Sequence, residues 1–168
     1  NTTFYNPTGT KKHRIVPTEI NSEGELIHGF VHDENAYSLG GVAGHAGLFS
    51  TAKDLAVFSQ MMLNGGLYGW KRIFKTATVN SFTSKAGILD NSSRLLGWDS
   101  PAGLASGGVY LSDSSFGHTG FTGTSIWIDP ENECFVILLT NRVYPSRQQR
   151  GLYELNIRPK LLDYAIQY

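Results

Sequence analysis

A single cysteine, Cys134, excludes an internal disulfide framework and any zinc cluster built on thiolates. No run approaches the ~18 apolar residues needed to span a bilayer. Charge is scarce too: Asp, Glu, Lys and Arg make up 17% of the 168 residues, below the roughly 25% usual for soluble domains. The 14 basic and 14 acidic residues cancel, which leaves no electrostatic footprint for DNA or RNA and no polybasic membrane patch. The opening Asn-Thr-Thr-Phe holds neither an initiator Met nor a charged-then-apolar leader, so the chain reads as part of something longer. Internal repeats, low-complexity tracts and P-loop-type glycine motifs are also missing.

Glycine, by contrast, is plentiful at 19 residues, and 40% of the chain is hydrophobic. That composition suits one globular domain with tight backbone turns and a sizeable core. Residues 1–37 carry scattered Pro and Gly with little apolar periodicity, which predicts a loop-rich extension to a helix-plus-sheet body at 38–168. Four glycines within 38–49 suit close backbone approach rather than a helix. Thr51 as N-cap, Asp54 three residues on, and Leu55, Phe58 and Met62 at helical spacing predict a helix that stops at Asn64-Gly65-Gly66. Thr76–Phe82 predicts a weaker one, and 97–98 with 103–115 reads as loop and short strand.

From Phe116 the period changes. Thr124–Ile128 alternates, Asp129-Pro130-Glu131-Asn132 is a turn, and Cys134–Thr140 is an apolar run expected to be a strand buried on both faces. A last helix is expected over 152–166, with Leu155, Leu161, Leu162 and Ala165 inward and Pro159 bending or restarting it. The fold class is α+β: an antiparallel sheet edged by His118–Gly120 with helices packed on it.

Phe116-Gly117-His118-Thr119-Gly120-Phe121-Thr122-Gly123 stands just before that hairpin. Gly117, Gly120 and Gly123 remove side chains every third residue, so a ligand could lie against bare backbone. His118 and Thr119 would add a donor or positive head and a hydroxyl, which suits a substrate bearing a carbonyl and a carboxylate. The plainer reading is a turn with a surface histidine entering a strand.

His118-Thr119-Gly120 before a strand-turn-strand-helix ending resembles the third motif of serine β-lactamases and penicillin-binding proteins, where Lys-Thr-Gly is the common form. Gly44-His-Ala-Gly-Leu-Phe-Ser-Thr-Ala-Lys-Asp-Leu-Ala56 is similar to the Gly-Leu-x-Ser-Thr-x-x-Asp-Leu-Ala helix start of the class C type. Thr140-Asn141-Arg142-Val143 fits the same group. The resemblance implies a partial β-lactamase/transpeptidase-like fold and acyl transfer through a serine ester, on an amide, ester or peptide, with no metal or organic cofactor. His118 and Thr119 would then be catalytic. Gly120, Phe121 and His45 would bind substrate, with the Phe121 N–H in the oxyanion hole. An imidazole in place of Lys makes the charge of that head pH-dependent. A periplasmic or secreted location follows by family habit alone.

The family's Tyr-x-Asn is absent, and the one credible Ser-x-x-Lys, Ser50–Lys53, falls on the wrong helix. Ser50 reads either as a helix-capping hydroxyl or as a nucleophile. The expectation is the C-terminal portion of a hydrolase domain, inactive alone and prone to self-association through bared apolar surface. A non-catalytic binding module on the same fold is the alternative. The His28, His32, Asp33, Glu34, Asn35 cluster reads as structural hydrogen bonding, a cleft edge or a metal site. His45 either faces the cleft or packs. Trp98 and Trp127 read as core or rim aromatics, Cys134 as inert, and Arg142, Arg147, Arg150 and Arg158 as solvated.

Overall fold

The computed structural model describes residues 2–85, 92–102 and 106–168. Part of the expected 103–115 loop (residues 103–105) lies outside them. After a 3-10 turn at Gly9–Arg14, the helices are α1 (Glu34–Ser38), α2 (Ala52–Leu63), α3 (Thr76–Thr83), α4 (Gly151–Glu154) and α5 (Ile157–Gln167). A small ribbon pairs β1 (Leu67–Tyr68) with β2 (Lys71–Arg72). The main antiparallel sheet has the order β3 (Phe116–Thr119), β4 (Ser125–Asp129), β5 (Cys134–Leu138).

Helix α2 starts where its cap chemistry predicts, the Thr51 hydroxyl accepting from the Asp54 N–H at 3.3 Å. Asp54 does not complete a capping box. Its carboxylate accepts from the Thr2 and Thr3 hydroxyls at 2.7 Å each, tying the N-terminus to the helix start. The buried face of α2 carries Ser59, Met61 and Met62, while Phe58 sits at the rim stacked on Trp98.

Register sorts the sheet's side chains. Phe116 faces Ile128, which faces Phe135, and His118 faces Ile126, so these share one side. There Phe116, Ile126, Ile128 and Phe135 meet Met61, Met62, Val79 and Leu95 in the main core, with Trp98 edge-on to Phe116 at 5.2 Å. Trp127 is buried on the other side, on the face of Gly117, where a β-carbon on that glycine would collide with the indole.

The hairpin turn is held by Asp129, 2% exposed, which accepts from the Glu131 and Asn132 N–H groups and from Ser112. Burial pushes the Asp129 carboxyl up, but the Ser112 and Asn132 hydrogen bonds prevail and its pKa is lowered.

Two expectations are corrected. Strand β5 is half-buried throughout, an outer strand whose far edge is unpaired among the described residues. The terminal helix breaks at Asn156, which takes φ 51°, so Leu155 is exposed at the break and Ala165 points outward. Pro159 falls in the first turn of α5, where its missing N–H is not needed.

The loop-rich N-terminal stretch is laced to the segment after β5. Glu19, 5% exposed, accepts from the Arg147 backbone N–H at 2.7 Å, from its guanidinium at 2.8 and 3.0 Å, and from His32 Nε2 at 2.7 Å. Arg147 reaches Glu34 at 2.9 Å, the Ile20 N–H donates to the Pro145 carbonyl, and the Asn141 amide donates to the Pro17 carbonyl. The hydrogen bond from Arg147 chiefly holds Glu19 down at about 2, against an ordinary 4.5.

A carboxylate with its pKa depressed on folding stabilises above its unfolded pKa, and that contribution fades as pH falls through the folded value. Urea unfolding should therefore show a loss of stability between pH 4.5 and about 2 that is smaller in Glu19→Gln. At pH 7 the variant should be roughly 1–3 kcal/mol less stable. Equal acid sensitivity of the two proteins would refute this role of Glu19.

Candidate functional site

His118 projects from edge strand β3 with 46% of its side chain exposed. Its Nε2 lies 3.0 Å from Arg94 Nη1 and its Nδ1 2.9 Å from the Thr119 carbonyl. A guanidinium has no acceptor, so Nε2 must accept and the ring proton sits on Nδ1, donating to Thr119. Arg94 also stands 2.9 Å from Asp99 Oδ1 as an ion pair without hydrogen-bond alignment. Asp99 is 5% exposed and its backbone bridges Gly117, so β3 itself fixes the pair. In this arrangement the Arg94 guanidinium is a cationic donor beside the motif. The imidazole head expected at His118 thus adjoins a guanidinium.

Thr119 is half-buried opposite Ser125, and among the described residues its hydroxyl has no partner. The turn 120–124 follows. Gly120 closes it through its N–H to the Thr124 carbonyl at 2.8 Å, and its own carbonyl accepts from Gly123 at 3.1 Å. The glycines serve the chain's own packing. A β-carbon at Gly120 would strike the Thr124 hydroxyl, and Gly123, at φ 121°, abuts Thr140 and Arg142. The bare-backbone surface expected of all three reduces to the N–H groups of Phe121 and Thr122, which find no acceptor among the described residues.

The Phe121 ring is 56% exposed and flanked on several sides. Arg142 lies over it at 4.5 Å, Arg147 at 6.0 Å, and His32 stacks at 5.8 Å. His32 and Arg147 also line an open cleft of about 610 Å³ with Glu19, Glu34 and Tyr37. The structure thus brings His32 to the motif. His45 is instead held at 3.0 Å from Asp33, which caps α1 through the Ala36 N–H. No contact among the described residues joins His45 to His118.

His28 bonds the Ile15 carbonyl at 2.8 Å, so it and His32 have separate partners, as hydrogen-bonding residues do. Ser50 is neither the helix cap nor paired with Lys53. Its hydroxyl meets Thr3 at 2.8 Å while Thr51 caps α2. Trp127 is buried and Trp98 packs on the core. Burial and then the neighbouring Asp129 push the half-buried Cys134 thiol up, away from reactivity.

The solvated reading of the arginines is overturned for buried Arg158, while Arg142 and Arg147 stay partly exposed but are tied to specific partners. Arg147 is the Glu19 partner, Arg142 donates to the Phe121, Arg147 and Gln149 carbonyls, and Arg158 is buried against the turn. Their partners lie up to 128 positions away, so no local pattern announces them.

The Beta-lactamase family model matches residues 3–157. A protein of Escherichia coli (strain K12), provisionally named D-alanyl-D-alanine carboxypeptidase, is 40% identical over 158 residues, covering 83% of this chain and 36% of its own length. Its counterpart from Salmonella typhi, under the same name, is 39% identical over 169 residues, covering 84% and 39%. A crystal structure of a beta-lactamase from Mycobacterium bovis superposes with a TM-score of 0.56 at 24% identity, covering 73% of this chain and 45% of that one. The chain spans little more than a third of the length of the curated relatives it matches.

The ring geometry predicts that imidazole ¹⁵N spectra at neutral pH show the His118 proton on Nδ1. Arg94→Met should release that preference without unfolding the protein. A proton found on Nε2 in the unaltered chain would refute the Arg94 contact.

Proposed function

The chain belongs to the beta-lactamase family, and on that premise we propose that it is the substrate-binding portion of a serine hydrolase of the β-lactamase, D-Ala-D-Ala carboxypeptidase or esterase type. The observation that carries this reading is the Phe121 N–H, free of any acceptor among the described residues and two positions beyond the Thr119 hydroxyl. A carbonyl oxygen gaining negative charge needs such a donor in place before the reaction begins. His118 and Thr119, with Arg94 beside them, offer a cationic, hydrogen-bonding edge for a substrate carboxylate. The substrate is accordingly a small molecule or peptide with a carbonyl near a carboxylate, in keeping with the carboxypeptidase names of the relatives.

In this reading the attacking serine lies outside residues 1–168. Its oxygen adds to the substrate carbonyl carbon, and the carbonyl electrons move to the oxygen held by Phe121. Collapse expels the amine or alcohol with a proton and leaves an ester on the serine. Water then cleaves that ester, releasing the acid and restoring the hydroxyl. The setting is the cell envelope or the exterior, the location of the family's habitual substrates. No helix among the described residues is long and apolar enough to cross a membrane.

A fluorescent penicillin should label the full-length protein that contains this segment and leave the 168-residue chain unlabelled. Thr119→Val in the full-length protein should slow acylation about 100-fold, the lower end of what loss of one polar contact to the reacting group costs. Labelling at Ser50 would overturn the assignment of the nucleophile. A full-length protein that binds but never acylates would make this a non-catalytic module. Taken alone, the chain leaves Leu39, Val42 and Leu48 more than half exposed in its glycine-rich segment. Light scattering should show its mean mass rising with concentration, and a strict monomer throughout would refute that.

A further inference from the structure

Five successive carbonyls, from Gly120 to Thr124, each accept a hydrogen bond from within the chain. Arg158 Nη2 donates to Gly120 at 2.8 Å and to Thr124 at 2.9 Å. Arg142 Nε donates to Phe121 at 2.9 Å, and its backbone N–H to Thr122 at 2.8 Å. The Thr140 hydroxyl donates to Gly123 at 2.8 Å. In a trans peptide the C=O and the next residue's N–H point in opposite directions. Drawing the Gly120 oxygen toward Arg158 therefore turns the Phe121 N–H away from it, and drawing the Phe121 oxygen toward Arg142 does the same for Thr122.

Arg158 is an expensive way to close a turn. It is 5% exposed, its Nε has no partner, and burial pushes its pKa down. Desolvating a guanidinium is unfavourable unless its donors are satisfied. The Gly120–Thr124 and Gly123–Gly120 backbone bonds would close the loop without it. Arg142 stacks between the Phe121 and Tyr153 rings at 4.5 and 4.9 Å, and Arg158 lies 5.7 Å from the same Tyr153 ring. The two cations are thereby held by the post-β5 segment and by α4 and α5, not by the strand that bears the motif.

We propose that Arg158, supported by Arg142, is a positioning residue that aims the Phe121 N–H into the oxyanion hole. This rests on the hydrolase reading above. It assigns the chain's last helices a part in acyl transfer, exerted through one peptide plane.

The test uses the full-length protein with Arg158→Met, Arg158→Lys and Arg142→Lys, and a peptide ending in D-Ala-D-Ala as substrate. For Arg158→Met, kcat should fall by up to roughly 100- to 1000-fold, the range for a lost oxyanion donor. KM should stay within about threefold, and affinity for a boronic acid, whose tetrahedral adduct occupies the same hole, should fall in parallel with kcat. Arg158→Lys should recover part of the loss.

Should Arg158→Met fail to fold, Arg142→Lys carries the test, with an expected loss of about tenfold in kcat at unchanged KM. An active wild type with undiminished kcat in the folded variants overturns the positioning role alone. A loss of thermal stability without the parallel loss of boronate affinity also overturns it. A wild type that neither hydrolyses nor acylates refutes the hydrolase reading and this inference together.

Discussion

A peptide plane cannot aim its oxygen and its hydrogen independently, and the functional edge of this protein follows from that constraint. Between β3 and β4 every carbonyl of residues 120–124 is claimed by an internal donor. Among the described residues the Phe121 and Thr122 N–H groups are left without an acceptor, and neighbouring unclaimed N–H groups favour negative charge. The donors come from sequence that follows the sheet: Thr140, Arg142 and Arg158. The strand carries the motif, while the residues that orient it arrive after β5 and from α5.

Phe121 is where the separate parts of the chain converge. Its carbonyl is bonded by Arg142, and its ring is covered by Arg142 and Arg147 on the C-terminal side and by His32 from the N-terminal stretch. Arg147 and His32 are themselves joined through buried Glu19. Loop-rich sequence near the N-terminus is thus tied by ionic and hydrogen-bonding contacts to the C-terminal third, in addition to its own short turns and local pairing. On the other flank, buried Asp99 and exposed Arg94 hold the His118 ring with its Nε2 toward the guanidinium. The edge combines a guanidinium, an imidazole turned back onto the chain, and a hydroxyl and two N–H groups that find no partner among the described residues.

Several parts of this could be read directly from the residues. The α2 start at Thr51, α3, the β4–β5 hairpin with its Asp-Pro turn, and the His-Thr-Gly segment at a sheet edge all depend on neighbours within a few positions. Readings that required knowledge of distant surroundings fared differently. Strand β5 has the apolar run of a doubly buried strand but lies at an edge. Leu155 has helical spacing but sits at a left-handed break. Gly117, Gly120 and Gly123 suggested an open ligand shelf, yet their missing β-carbons make room for Trp127, Thr124 and Thr140.

The α+β class, the principal helices and hairpin, and the position of the motif follow from the residues alone, because caps, turns and hydrophobic periods act over one or two turns of chain. Only the tertiary structure decided which polar groups stay free and which arginines are committed. Arg147 finds Glu19 across 128 positions and Arg158 finds Gly120 across 38. A guanidinium looks the same in sequence whether it faces water or a carbonyl. What settles the matter is the desolvation and hydrogen bonding imposed when remote segments pack together.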